Sequence, residues 1–125
     1  MASAVTSGIR VTVEAHHLSE RREPGRWLFA YQVRIVNEGP APAQLLSRHW
    51  IITDGLGREE HVQGPGVVGQ QPVLAPGAAH EYTSFCPLSS PLGSMRGSYQ
   101  MARSDGTTFE AAIPEFALAA PESLN

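Results

Sequence analysis

Three glycines, Gly64, Gly66 and Gly69, give this 125-residue sequence its strongest chemical motif, because their spacing matches G-x-G-x-x-G. In dinucleotide-binding folds this pattern follows a strand and opens a helix, whose N-terminus holds a pyrophosphate. Prolines at 72 and 76 argue against a helix here. We therefore expect a structural loop in which glycine permits unusual backbone angles.

A small-anion or nucleotide sensor is the alternative function for the same segment. Backbone N–H groups of a glycine-rich loop can form an anion-binding nest, although Pro65 removes one donor. In this interpretation Arg48 or Arg96 supplies the counter-charge.

The run Arg48-His49-Trp50, with Asp54 after it, is either a polar binding cluster or part of the core edge. Neighbouring side chains of a strand point to opposite faces, so His49 cannot converge with Arg48 and Trp50. We favour the structural interpretation, in which Trp50 packs and Asp54 makes a turn.

Five histidines raise the question of a metal site, and the spacing predicts none. His16 and His17 are adjacent in a predicted strand and face opposite ways. His49, His61 and His80 are isolated, without a Cys or carboxylate at zinc-ligand spacing, so a metal site would need them to converge in space. No cofactor is expected.

Catalysis and several classes of partner are also disfavoured. Cys86 lies in an alternating strand, where a cysteine behaves as a small hydrophobe, and no G-x-S-x-G elbow is present. The net charge of −3 gives no footprint for nucleic acid or an anionic membrane. A single cysteine and an N-terminus unlike a signal peptide predict a cytoplasmic protein.

Glycine and proline punctuate the chain at short intervals and leave windows that suit strands better than helices. Side chains alternate between apolar and polar in these windows, as in half-buried strands. In the third window we expect Leu46, Trp50 and Ile52 on one side, and the doubled Leu45-Leu46 indicates two-sided burial or a bulge. The predicted strands, about seven in number, span residues 9–16, 27–35, 43–53, 59–63, 80–88, 94–102 and 107–113.

Two packed antiparallel sheets bury such strands most simply, so the predicted fold is an all-β sandwich in one domain, residues 1–125. One cysteine excludes the immunoglobulin disulfide, which favours a fibronectin-III-like variant over a partly open barrel. The segment 19–25 is expected to be a charged loop, and the tail after Leu118 a frayed polar end.

Several motifs in order resemble the ApaG family over residues 5–120. They are 45–54 (LLSRHWIITD), 64–72 (GPGVVGQQP), 74–77 (LAPG), 82–84 (YTS), 91–101 (PLGSMRGSYQM) and 113–116 (IPEF). The resemblance implies a fibronectin-III-like sandwich, a small cytoplasmic protein without agreed enzymatic activity, and a link to cobalt and magnesium tolerance. Related eukaryotic domains resemble protein-interaction modules.

The resemblance also implies that Gly64, Gly66 and Gly69 contact pyrophosphate. Gln70 stands where many members carry glutamate, which lowers any expectation of a carboxylate-bound cation at the loop, and Phe85 stands where many carry glycine. We expect a non-enzymatic binding or regulatory module with a protein partner, present as a monomer or weak homodimer. The anion sensor is the alternative.

Overall fold

A computed structural model describes residues 1–19 and 23–124, which form nine strands and one short 3-10 turn. The strands are β1 (Ala2–Thr6), β2 (Ile9–His17), β3 (Trp27–Asn37), β4 (Ala43–Thr53), β5 (Glu59–Pro65), β6 (Val73–Leu74), β7 (Ala79–Leu88), β8 (Leu92–Arg103) and β9 (Thr108–Ala119), and the 3-10 turn is Pro121–Leu124. Across the same residues, no helix is long and apolar enough to cross a lipid bilayer.

The strands form two antiparallel sheets. The first sheet has the order β1-β2-β3-β7, and the second has the order β5-β4-β8-β9, with β6 paired to one end of β4. The sheets approach each other at one side, where β1 and β2 lie against β9. This confirms the predicted all-β sandwich of two antiparallel sheets. It also leaves β5 and β7 as the outer strands of the opposite side.

Alternating apolar residues of both sheets fill the space between them, as the period of two predicts. Phe29 and Tyr31 of β3 are buried between the sheets. Trp50 of β4 is the centre of an aromatic cluster, with its ring edge-on to those of Tyr31 at 5.2 Å and Phe116 at 6.0 Å. Such edge-to-face pairs add to the stabilisation from burial.

All the predicted strands are present, and two strands were missed. β1 consists mostly of small and polar residues, and β6 has two residues next to Pro72, so neither shows a clear alternation.

The prediction of a frayed polar tail after Leu118 is wrong. Ala120 is fully buried and its N–H donates to the Pro91 carbonyl, while Trp27 Nε1 donates to Glu122 at 2.6 Å. Residues 20–22 of the predicted charged loop lie outside the described residues.

Candidate functional site

A β-bulge in β4 decides which of its side chains enter the sandwich. Leu45 lies opposite Met101 and Ser47 lies opposite Gln100, so Leu46 is the extra residue. The predicted grouping of Leu46 with Trp50 and Ile52 is therefore wrong: Leu45 is the fully buried residue. After the bulge, the even-numbered residues face inward, and Arg48 enters the sandwich beside Trp50.

The glycine segment forms a strand end and a tight turn. Val67 and Gln70 exchange backbone hydrogen bonds of 2.8 and 3.0 Å. The two residues between them, Val68 and Gly69, both have positive φ, as the two central residues of a type I′ hairpin turn require. The predicted absence of a following helix is confirmed. The segment is also bonded to β4, because the Gly66 N–H donates to the carbonyl of the bulge residue Leu46 at 2.9 Å.

The same segment holds the Arg48 side chain. Arg48 Nη1 donates to the carbonyls of Pro65 and Gly66, both at 3.0 Å. Gly64 lies directly opposite Arg48 on β5, and a Cβ there would be 3.1 Å from Nη1. The glycine at 64 thus makes room for the guanidinium. Towards Arg48 the loop presents carbonyl oxygens, the groups that bind a cation.

The structure brings one of the two predicted counter-charges to the loop. Arg96 of β8 lies opposite Ile51, on the outer face of the second sheet, and pairs with Glu59 at 3.0 Å. Arg48 faces the interior of the sandwich. Among the loop amides, those of Gly66, Val67 and Gln70 already donate within the chain. Anion binding by this loop stays a prediction that the geometry supports only through Arg48.

Arg48 lies at one end of a crevice between β5 and β7, with a volume of about 260 Å³. Three tyrosines lie near it: Tyr82 and Tyr99 share a hydrogen bond between their hydroxyls, and Tyr31 lines the crevice. Burial raises the pKa of each tyrosine, and the Arg48 charge partly offsets this. The hydroxyls therefore stay protonated at neutral pH.

Cys86 also lines this crevice. Burial raises the pKa of its thiol to about 11, and the negative charge of Glu60 makes a smaller contribution in the same direction. The thiolate is the reactive form of cysteine. The geometry therefore agrees with the prediction that Cys86 is a small core side chain.

Asp54 makes a turn, as predicted. Its Oδ1 accepts hydrogen bonds from the N–H groups of Leu56 and Arg58, at 2.9 and 3.0 Å, and its Oδ2 pairs with the Arg58 side chain. Burial alone would raise the Asp54 pKa, but these bonds together lower it.

The histidines separate into different regions. His17 lies against Phe29, and His80 lies beside Tyr82 on β7. His49 and His61, which are isolated in the sequence, meet on the outer face of the second sheet, with 2.8 Å between Nε2 and Nδ1. The register of β4 on β5 creates this contact, and register is not readable from spacing alone. Among the described residues, no three His, Cys, Asp or Glu side chains converge as metal ligands would.

Comparison with known proteins places the whole arrangement in one family. The family model described as "ApaG domain" matches residues 17–103. The chain is 61% identical to the protein ApaG of Anaeromyxobacter dehalogenans strain 2CP-C over the full length of both. It is 57% identical to that of Pseudomonas aeruginosa strain UCBPP-PA14 over 94% of each.

A solved structure supports the same assignment. The crystal structure described as an ApaA protein from Bordetella pertussis has 52% sequence identity and a TM-score of 0.87, with 90% of this chain and 94% of that chain covered. On this sequence identity, the family match and the shared fold, the chain belongs to the ApaG family.

Proposed function

We propose that the chain is a binding or regulatory module without catalytic activity, and that it binds an extended segment of a partner protein alongside β7. The observation that carries this proposal is the free edge of β7. This ten-residue strand pairs with β3, and no described strand pairs with its other edge. Addition of a strand to an exposed edge is a common mode of peptide recognition.

The register shows which backbone groups of β7 are available. Asn37 N–H donates to the Ala78 carbonyl at 3.0 Å, one step beyond the last pair of the β3–β7 ladder. In antiparallel pairs, every second residue bonds its neighbour. The N–H groups of Thr83 and Phe85 therefore point away from β3. Pro87 shares this alternation, so its missing N–H costs no bond to β3.

The composition of β7 also suits docking. Natural edge strands are usually protected by charges, prolines or bulges. β7 carries one carboxylate, Glu81, which is already paired with Arg34 at 2.6 Å, and its one proline, Pro87, removes a donor only near the end of the free edge. The Phe85 side chain is 58% exposed. β5, the outer strand of the second sheet on this side, begins with Glu59, Glu60 and His61 and is better protected.

The crevice between β5 and β7 gives the docked segment a route to specificity. A strand added to β7 would direct every second side chain towards the second sheet. There the crevice offers apolar surface from Trp50 and Val62, with the Arg48 cation at one end. The proposed compartment is the cytoplasm, supported by the single cysteine.

Two matched threonine-to-proline substitutions test the docking edge. Thr83→Pro removes an N–H that points away from β3. Thr108→Pro removes an outward N–H from β9 in the same way. The Arg103 N–H donates to the Thr107 carbonyl, so the N–H of the next residue, Thr108, points away from β8. We expect wild type and Thr108→Pro to recover the same protein from a lysate of the source cells, and Thr83→Pro to lose it.

Circular dichroism and thermal unfolding establish that both variants are folded before the comparison. Equal recovery of the partner protein by Thr83→Pro and wild type would contradict docking along β7. Failure of wild type to recover any protein above the level of a bait-free control would count against a protein-binding module altogether.

A further inference from the structure

We propose that His49 and His61 form a binding site for a divalent first-row transition metal, of which zinc is the simplest probe. The two imidazoles come from neighbouring strands, His49 opposite Gln63 and His61 opposite Ile51. Their facing nitrogens are 2.8 Å apart and the ring centroids 5.1 Å apart. The β4–β5 ladder fixes both backbones, so the two rings are neighbours before a metal binds.

The distance between the nitrogens is close to that of a chelate. Zinc–imidazole bonds of about 2.0–2.1 Å at a tetrahedral angle place the two nitrogens about 3.3 Å apart. Chelation therefore needs the nitrogens about 0.5 Å farther apart and both rings turned, because nitrogens 2.8 Å apart in rings with centroids 5.1 Å apart point at each other. The 2.8 Å contact is a hydrogen bond, so one facing nitrogen carries a proton in the free chain, whereas metal binding needs both facing nitrogens free of protons. His49 meets this need when its proton is on Nδ1, and His61 when its proton is on Nε2.

One neighbouring side chain favours the proton of His61 on Nε2. Glu59 Oε1 lies 3.7 Å from His61 Nε2, while its Oε2 is held by Arg96 at 3.0 Å. A carboxylate behind a metal-bound histidine orients the ring and increases its basicity. Gln63 Nε2 lies 3.5 Å from His49 Nε2, so rotation of this amide presents its oxygen as a third ligand.

A polar depression beside His49 leaves room for further ligands. It has a volume of about 400 Å³, and Arg48, His49, Gln63 and Glu110 are among the residues that line it, whereas His61 is not. With two imidazoles and one amide, the site keeps at least one position for water or an outside ligand, which is typical of open rather than structural zinc sites. We therefore expect the metal to exchange.

The donor set also selects the metal. Imidazole suits zinc, nickel and copper, whereas magnesium takes oxygen ligands and keeps much of its hydration shell. A site built on two imidazoles should thus bind zinc and leave magnesium in solution.

Calorimetric titration of the untagged full chain with ZnCl₂ tests the proposal, alongside NMR of ¹⁵N-labelled histidine side chains. We expect one zinc ion per chain, with shifts of the His49 and His61 ring nitrogens. His49→Ala and His61→Ala should each abolish binding, and Glu59→Gln should weaken it about tenfold. His80→Ala, which removes a histidine of the first sheet, should bind like wild type.

Several outcomes would overturn the site. They are the absence of zinc binding by wild type at millimolar metal, zinc binding that survives in either His49→Ala or His61→Ala, and equal weakening by His80→Ala. Magnesium binding that shifts the same ring nitrogens would contradict the assigned class of metal.

Discussion

Arg48 shows how one inserted residue changes the chemistry of a strand. Without the bulge at Leu46, alternation from the buried Leu45 would direct Arg48 outward. With it, Arg48 enters the sandwich, where the carbonyls of Pro65 and Gly66 hold one guanidinium nitrogen. Charged groups are stable in such partly buried places only when they are well hydrogen-bonded. The carbonyls of the glycine segment meet this requirement.

Cys86 provides a prediction for a single side chain. Its thiol is buried and has a pKa of about 11, so the thiolate fraction at pH 8 is very small. We expect a thiol reagent at pH 8 to label the folded chain at least about 100-fold more slowly than an exposed cysteine. Because the thiolate fraction rises with pH, the labelling rate should rise steadily towards pH 11.

The matched control places a cysteine one residue away. Phe85→Cys in a Cys86→Ala background puts the thiol on the exposed face of β7. Stopped-flow absorbance with an aromatic disulfide measures both rates. Equal rates for the two positions at pH 8 would show that Cys86 is accessible and would contradict the described burial.

The glycine segment has two structural roles: it reverses the chain after β5, and its carbonyls hold the Arg48 side chain. Gly66 has φ of 63°, and a Cβ there would lie 2.4 Å from the Gln70 carbonyl oxygen. Gly69 has φ of 78° with nothing within 4 Å of such a Cβ. The first position therefore requires glycine for both conformation and space, and the second for conformation alone.

This difference predicts an order of stability between two alanine variants. Gly69→Ala should lower the free energy of unfolding by about 1 kcal/mol, the cost of positive φ in a residue with a Cβ. Gly66→Ala should lower it by about 3 kcal/mol, because the clash with Gln70 adds to that cost. Urea denaturation of both variants and wild type measures these values. An effect of Gly69→Ala as large as that of Gly66→Ala would contradict the described turn.

The sequence could predict the elements that alternation and turn residues define. The long strands follow from the alternation of apolar and polar residues. The turn at Asp54 follows from hydrogen bonds between its own side chain and the N–H groups of residues close to it in the chain. Contacts that depend on strand register could not be predicted in the same way. The His49–His61 contact requires a particular alignment of β4 on β5, and the two-residue β6 forms only because β4 is already in place.

At the scale of the whole molecule, the two sides of the sandwich differ. On one side, β1 and β2 lie against β9, and Thr6 Oγ1 accepts a hydrogen bond from the Ala112 N–H across the sheets. On the other side, the outer strands β5 and β7 enclose a crevice of about 260 Å³. A strand added to β7 would cover this side as β1 covers the other, which is why we propose β7 as the docking edge.

Site-specific photo-cross-linking in living cells tests this docking edge most directly. A photoreactive benzoylphenylalanine replaces Phe85 on β7, and in a control chain it replaces Leu56, the 77%-exposed residue of the β4–β5 turn. We predict that light produces one protein adduct from position 85, that Thr83→Pro in the same chain removes it, and that position 56 gives none. An adduct from position 56 without one from position 85, or an adduct that survives Thr83→Pro, would contradict strand addition to β7.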